Sequence, residues 1–161
     1  MIRKIQKSDY VEMIKLIREF MVGYNAKRVF KGVQADYMKY KDIEALVSKG
    51  AKTYCYNKSP KKAAFVFEEN DKLLAYISGE VKTDNRKIVS PVGYIEDWFV
   101  SKKYRGKKIG TQLYDQMIKF FKEHDVRIII LGVFNQNETS YKLYEKMGFK
   151  PLDTTLLKRL K

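Results

Sequence analysis

Ile95-Glu96-Asp97-Trp98-Phe99-Val100-Ser101-Lys102-Lys103-Tyr104-Arg105-Gly106-Lys107-Lys108-Ile109-Gly110-Thr111 is the stretch whose reading decides the fold. Its first six residues close an apolar, β-favouring run that begins at Val92. Its last residues open an amphipathic helix from Ile109 to Lys122, with Ile109, Leu113, Met117, Phe120 and Phe121 on one stripe. The turn between them is short, basic and contains Gly106 and Gly110. A helix N-terminus offers unpaired N–H groups and the positive end of the helix dipole, and glycines let a backbone approach a pyrophosphate closely. Strand, basic turn and helix together therefore point to phosphate. The plainer alternative is a solvated basic turn with Gly110 serving tight packing. The turn is neither a GxxxxGK[ST] loop nor a GxGxxG fingerprint.

Outward from this segment, Ile128 to Phe134 is apolar without alternation, as in a strand buried on both faces, so the stretch makes a strand-helix-strand unit. Upstream, Ala63–Glu69 and Lys72–Val81 flank Asn70-Asp71, a hairpin turn that pairs them antiparallel. Ile2–Ile5 reads as a short edge strand. Ser8 is a fair N-cap for a helix carrying Val11, Ile14, Ile17 and Met21. A second helix follows Asp36, carries Ile43, Leu46 and Val47, and stops at Gly50. Downstream, Glu138–Met147 is a helix closed by Gly148, and Phe149 onward supplies one or two last strands, including Thr154–Leu160. The sum is a mixed α/β chain whose central sheet is mostly antiparallel, with six or seven strands and about four helices.

The chain has 161 residues, 45% hydrophobic and 32% charged, the balance of one folded domain over residues 1–161 rather than of a disordered or fibrous chain. Its longest apolar run falls far short of the roughly 20 residues that cross a bilayer. Arg3, Lys4, Lys7 and Asp9 interrupt any signal-like start, so the expected address is cytoplasmic. With one cysteine, Cys55, and one histidine, His124, the chain has neither an internal disulfide nor the usual Cys/His zinc site. No metal is expected. The 33 Lys+Arg against 19 Asp+Glu give a net charge of +14, which suits an anionic partner without choosing among nucleic acid, membrane surface and phosphorylated cofactor.

The run Ile95–Val100 followed by Arg105-Gly106-Lys107-Lys108-Ile109-Gly110 resembles the central motif of the GNAT acetyltransferase superfamily. A second segment, Asn137-Glu138-Thr139-Ser140-Tyr141-Lys142-Leu143-Tyr144-Glu145-Lys146-Met147-Gly148-Phe149, is similar to that family's Asn-x-x-Ala-x-x-Leu-Tyr-Glu-Lys-x-Gly-Phe element, with Ser140 for alanine. The resemblance implies a single GNAT-type domain in which two neighbouring parallel strands splay apart around acetyl-CoA as cosubstrate. Here those strands end near Val100 and Phe134. On these positions it implies that Trp98, Phe99 and Val100 run beside the pantetheine arm. Backbone N–H groups of Arg105, Gly106, Lys107, Lys108, Ile109, Gly110 and Thr111 cradle the pyrophosphate. Asn137 contacts the arm or the adenylate end, and Tyr144 protonates the departing thiolate. Lys108 stands where the family's loop usually has its first glycine. If that position needs positive φ, lysine costs on the order of 1 kcal/mol.

Acetylation of an amine with a pKa of roughly 10.4 needs a base. Glu96 and Asp97 are the candidates, and strict alternation along a strand gives Glu96 the same face as Trp98 and Val100. The bland role of the pair is to partner neighbouring lysines. The N–H of Val100 is a candidate donor to the acyl oxygen. Tyr144 has a bland role too, as a core tyrosine at helical spacing. Trp98 on a central strand, His124 at a helix end and Cys55 read as structural, while Tyr24, Tyr37 and Tyr40 are candidates for the acceptor pocket. The favoured acceptor is a primary amine of a small cationic molecule, with a protein lysine or N-terminal amine as the alternative. In the family this chain resembles, members that acetylate the N-terminus of a ribosomal protein tend to carry an acidic residue on the fifth strand, where this chain has Gly132, which counts against that acceptor. The rivals are a basic nucleic-acid-binding module and a catalytically silent CoA-binding protein. Lysines dispersed along the chain argue against the first. A homodimer is a further expectation from the resemblance.

Overall fold

The computed structural model describes residues 1–25, 30 and 32–160. Contacts divide the chain into two units, residues 1–21 with 42–132 and residues 22–41 with 133–161. The first unit holds one five-stranded sheet in sequence order β1-β2-β3-β4-β5: β1 (Ile2–Lys4), β2 (Lys62–Glu69), β3 (Lys72–Lys82), β4 (Val92–Val100) and β5 (Ile128–Leu131). All neighbours are antiparallel except β4 and β5, which run parallel. The β2–β3 hairpin turns at Asn70 and Asp71, both in the left-handed region at φ 51° and 57°, as a two-residue turn between right-twisted strands requires.

One sheet face packs on α1 (Tyr10–Asn25) and α3 (Ile43–Cys55) through Met13, Leu16, Ile17, Val47 and Ala51, which close over Val66, Tyr76 and Phe99. The other packs on α4 (Ile109–Lys122), whose Leu113, Met117 and Phe121 meet Ala75, Ile77 and Ile95. Phe121 lies against β4 because residue 93 has no side chain. A Cβ on Gly93 would stand 2.9 Å from its ring, nearer than packed carbon atoms approach one another.

Several expectations are corrected. A 3-10 turn, Lys7–Asp9, precedes α1, and Gln6 and Asp9 cap it reciprocally in place of Ser8. Asp42 caps α3 through its side chain, and the helix runs through Gly50 to Cys55, because glycine only weakens a helix whose other residues are well packed. A further short helix, α2 (Val33–Tyr37), lies in the second unit. That unit also contains α5 (Glu138–Lys146), capped by the Asn137 side chain and ended at Gly148, φ 92°. The sheet has five strands among the described residues, not six or seven, and the helices number five. Thr154–Leu160 is not a strand: Leu156 and Leu160 are exposed and Arg159 pairs with Asp36 on α2 at 2.5 Å. An apolar, β-favouring pattern makes a strand only where a neighbour supplies the ladder. For the same reason β5 is shorter than Ile128–Phe134 and, as the edge of the sheet, is not buried on both faces; Ile128 is exposed. Among the described residues, no helix is long and apolar enough to cross a membrane.

Candidate active site

β4 changes character at its middle. From Val92 to Ile95 it is paired on both sides, with β3 and, in parallel register, with Ile128–Leu131 of β5. After Ile95 the pairing with β5 stops while that with β3 continues to Val100. The Ser101 N–H donates to the Leu74 carbonyl at 2.9 Å. Because N–H groups alternate in direction along a strand, those of Val100 and Trp98 point to the edge away from β3. The Val100 carbonyl shares that edge and accepts the Arg105 Nε–H at 3.0 Å, tying the turn back to the strand. A second tie comes from α1, where Glu19 accepts the Ser101 hydroxyl at 2.6 Å and the Lys102 N–H at 3.4 Å.

The strand leads through a 3-10 turn, Lys102–Tyr104, into the N-terminus of α4. Gly106 has φ 79°, and Lys108, the N-cap of α4, has φ 60° and supplies no side-chain cap. The position where the family's glycine is expected thus does require positive φ, and lysine occupies it. The first N–H groups of α4 have no acceptor within the helix. Lys107 reaches back over the Tyr104 ring at 4.9 Å. The Arg105 N–H is engaged with the Lys102 carbonyl at 3.4 Å, so the free donors begin after it in the chain. A strand edge parted from β5, helical N–H groups with no side-chain cap and the surrounding cations match a ligand with an amide-bearing arm and a pyrophosphate.

A bulge sets the carboxylates. Ser78 faces Asp97 while Gly79 faces Ile95, which leaves Glu96 as the extra residue. The Asp97 N–H donates to Ser78 Oγ at 3.2 Å, a side-chain acceptor where a regular ladder would use a carbonyl. The bulge shifts alternation by one. Ile95, Trp98 and Val100 pack toward α4, whereas Asp97 and Phe99 lie on the α1/α3 face, where the Tyr54 and Tyr76 hydroxyls donate to Asp97 Oδ2 at 2.5 and 3.2 Å. Glu96 joins Asp97 there, in the field of Lys62, Glu80 and Lys82. The expectation that Glu96 shares the Trp98 and Val100 face is therefore corrected. Trp98 instead stacks on Tyr114, 5.2 Å between centroids and 14° between planes.

Glu96 is exposed and forms no ion pair among the described residues, yet partial loss of solvent pushes its carboxyl above the usual range. Lys62 and Lys82 oppose that shift and Glu80 and Asp97 add to it. Burial also raises Asp97, against the pull of its two phenol donors. Tyr54 and Tyr76 are raised, first by burial and then by the Asp97 charge. Among the described residues neither carboxylate forms a salt bridge with a lysine. Lysines go to Glu80 instead, which pairs with Lys62 at 3.3 Å and Lys82 at 3.7 Å.

In the second unit, Asn137 accepts the Ser140 N–H at 3.4 Å and Tyr144 is half-buried, its ring 6.0 Å from Phe149. Tyr37 and Tyr40 are exposed, and the Tyr24 side chain lies outside the described residues. In the first unit, His124 Nδ1 is 2.9 Å from the Phe120 carbonyl, and burial pushes the Cys55 thiol up to about 11. Tyr54, Tyr76 and Ser78 were not singled out by sequence. Their only signal is helical or strand spacing, which reads as core.

A model described as the acetyltransferase (GNAT) family matches residues 14–149. An uncharacterized N-acetyltransferase of Methanocaldococcus jannaschii is 29% identical over 86 residues, covering 53% of this chain and only 38% of that protein's length. N-alpha-acetyltransferase 30 of Schizosaccharomyces pombe is 28% identical over 109 residues, 68% of this chain and 71% of its own. Among solved structures, a mutant of the BH1408 protein from Bacillus halodurans superposes with TM-score 0.79 at 22% identity, covering 100% of this chain and 99% of that one. The aminoglycoside N-acetyltransferase AAC(6')-Iy in complex with CoA gives 0.73 at 15% identity, covering 100% and 94%. At these identities the structural likeness shows the fold.

Proposed function

The chain belongs to the acetyltransferase (GNAT) family, and from that premise we propose that it transfers an acetyl group from acetyl-CoA to the primary amine of a small cationic molecule, directly, with both substrates bound. One observation carries the reading: β4 leaves its parallel partner β5 after Ile95 and runs on into a helix N-terminus that has no side-chain cap and is set among cations. Bound there, acetyl-CoA supplies the acyl group as an activated thioester. The edge of Trp98, Phe99 and Val100 receives its arm. The N–H groups of Gly106, Lys107, Lys108, Ile109, Gly110 and Thr111 hold its pyrophosphate, with Arg105 fixing the turn, and Asn137 contacts the arm or adenylate end.

Glu96 takes the proton that the acceptor ammonium must lose, and a carboxyl raised above its ordinary range by loss of solvent is a stronger base than a free one. The Val100 N–H faces the edge away from β3 and stabilises negative charge on the acyl oxygen. Tyr144 returns a proton to the departing sulfur. The carboxylates of Glu96 and Asp97 favour a cationic acceptor, in keeping with the aminoglycoside acetyltransferases of the same fold. A second reading, a protein N-terminal amine, is favoured by the likeness to N-alpha-acetyltransferase 30. The test is thiol release from acetyl-CoA over a panel of polyamines, aminoglycosides, lysine peptides and free N-terminal peptides. Turnover with the first two classes supports the proposal. Turnover confined to peptides replaces its acceptor, and none with any amine refutes it.

A further inference from the structure

Asp97 is anchored twice. Its N–H is fixed on Ser78 Oγ, and its Oδ2 accepts both the Tyr54 hydroxyl from α3 and the Tyr76 hydroxyl from β3. The residue before it is Glu96, the one that the β3–β4 register leaves unpaired. We propose that Asp97, gripped by Tyr54 and Tyr76, is a positioning residue for Glu96: it fixes the far side of the bulge that turns Glu96 onto the α1/α3 face, and holds a negative charge beside it. The inference deepens the acetyl-transfer reading and rests on Glu96 being the base.

The arrangement does more than satisfy hydrogen bonds. An amide oxygen could also accept from two phenols, though more weakly, and without the cost of burying a charge. The groups acting on Glu96 are Lys62 from β2, Glu80 and Lys82 from β3, Asp97 from its own strand and Tyr54 from α3. Glu80 is offset by its two lysines. Asp97 has only neutral hydroxyl partners among the described residues, so its charge remains to bias Glu96 toward holding a proton. Tyr54 closes the link to α3. It places the helix that covers this face under the same restraint as the bulge.

The experiment follows the Glu96 side-chain carboxyl by carbon NMR in glutamate-labelled protein, its signal identified by loss in Glu96→Gln. Asp97→Asn keeps an acceptor for both tyrosines and removes the charge. The Glu96 titration midpoint is expected to fall, and the acidic limb of kcat/KM to move down with it, while the KM for acetyl-CoA stays unchanged. A folded Asp97→Asn protein with the midpoint unmoved would overturn the proposal and leave Asp97 a structural residue. Should that variant not fold, Tyr54→Phe, which retains the Tyr76 bond, decides in its place. A displaced Glu96 signal supports the proposal, and one identical to wild type overturns it. Absence of thiol release with every amine would refute the acetyl-transfer reading alone, since the carbon titration does not depend on turnover.

Discussion

The two halves of β4 are one continuous strand with opposite fates. Residues 92–95 are hydrogen-bonded on both sides and their Gly93 is filled by the Phe121 ring, so every group is spent on the fold. Residues 96–100 stay paired with β3 but not with β5 and begin with a bulge, which puts two carboxylates on one face. A strand becomes a site where its pairing is withdrawn, and the bulge decides which side chains share a face.

Substitutions in the two halves should therefore fail differently. The largest effect is expected from Gly93→Val, which forces atoms into the ring of Phe121, a residue only 1% exposed. It should lower stability by about 3 kcal/mol, at the upper end for overpacking, measured by denaturant unfolding. In the other half, Glu96→Gln should leave unfolding unchanged and reduce kcat about a hundredfold at neutral pH, recovering in part at high pH as the free amine becomes abundant. The sign of the wild-type profile follows from the raised carboxyl: activity falls as pH drops through a midpoint above the ordinary carboxylate range, because the protonated form cannot accept a proton. Tyr144→Phe, outside both halves, should cost about tenfold in kcat with acetyl-CoA affinity retained. Full activity would return Tyr144 to the core. The smallest effect is expected at Lys108. Exposed and left-handed at φ 60°, it should gain at most about 1 kcal/mol of stability when replaced by glycine, read as a shift in the unfolding midpoint without change in its slope.

The same contrast marks what the sequence makes legible. Ile109–Lys122 was readable to the residue because burial on a single face imposes a period of 3.6, and Val92–Val100 because it is an apolar run of β-favouring residues. Asn70-Asp71 was readable because only a few residue types accept positive φ. The bulge at Glu96 was not, since inserting one residue changes no local propensity and depends on Ser78 and Gly79 across the ladder. Nor was the Tyr54–Asp97 bond, which joins positions 43 residues apart. The C-terminal strand Thr154–Leu160 failed for the complementary reason, a strand-like pattern with no ladder to join. Motif resemblance supplied the family. Which face each carboxylate occupies came from the register.

The central claim is that the second half of β4 and the α4 N-terminus bind acetyl-CoA, and calorimetric titration at two salt concentrations tests it most directly, with dephospho-CoA and a short RNA as controls. Saturable binding of one acetyl-CoA per chain is expected at both salt concentrations. No acetyl-CoA binding, beside RNA binding that weakens steeply with salt, would contradict it and make the +14 charge, rather than the parted strands, the basis of function.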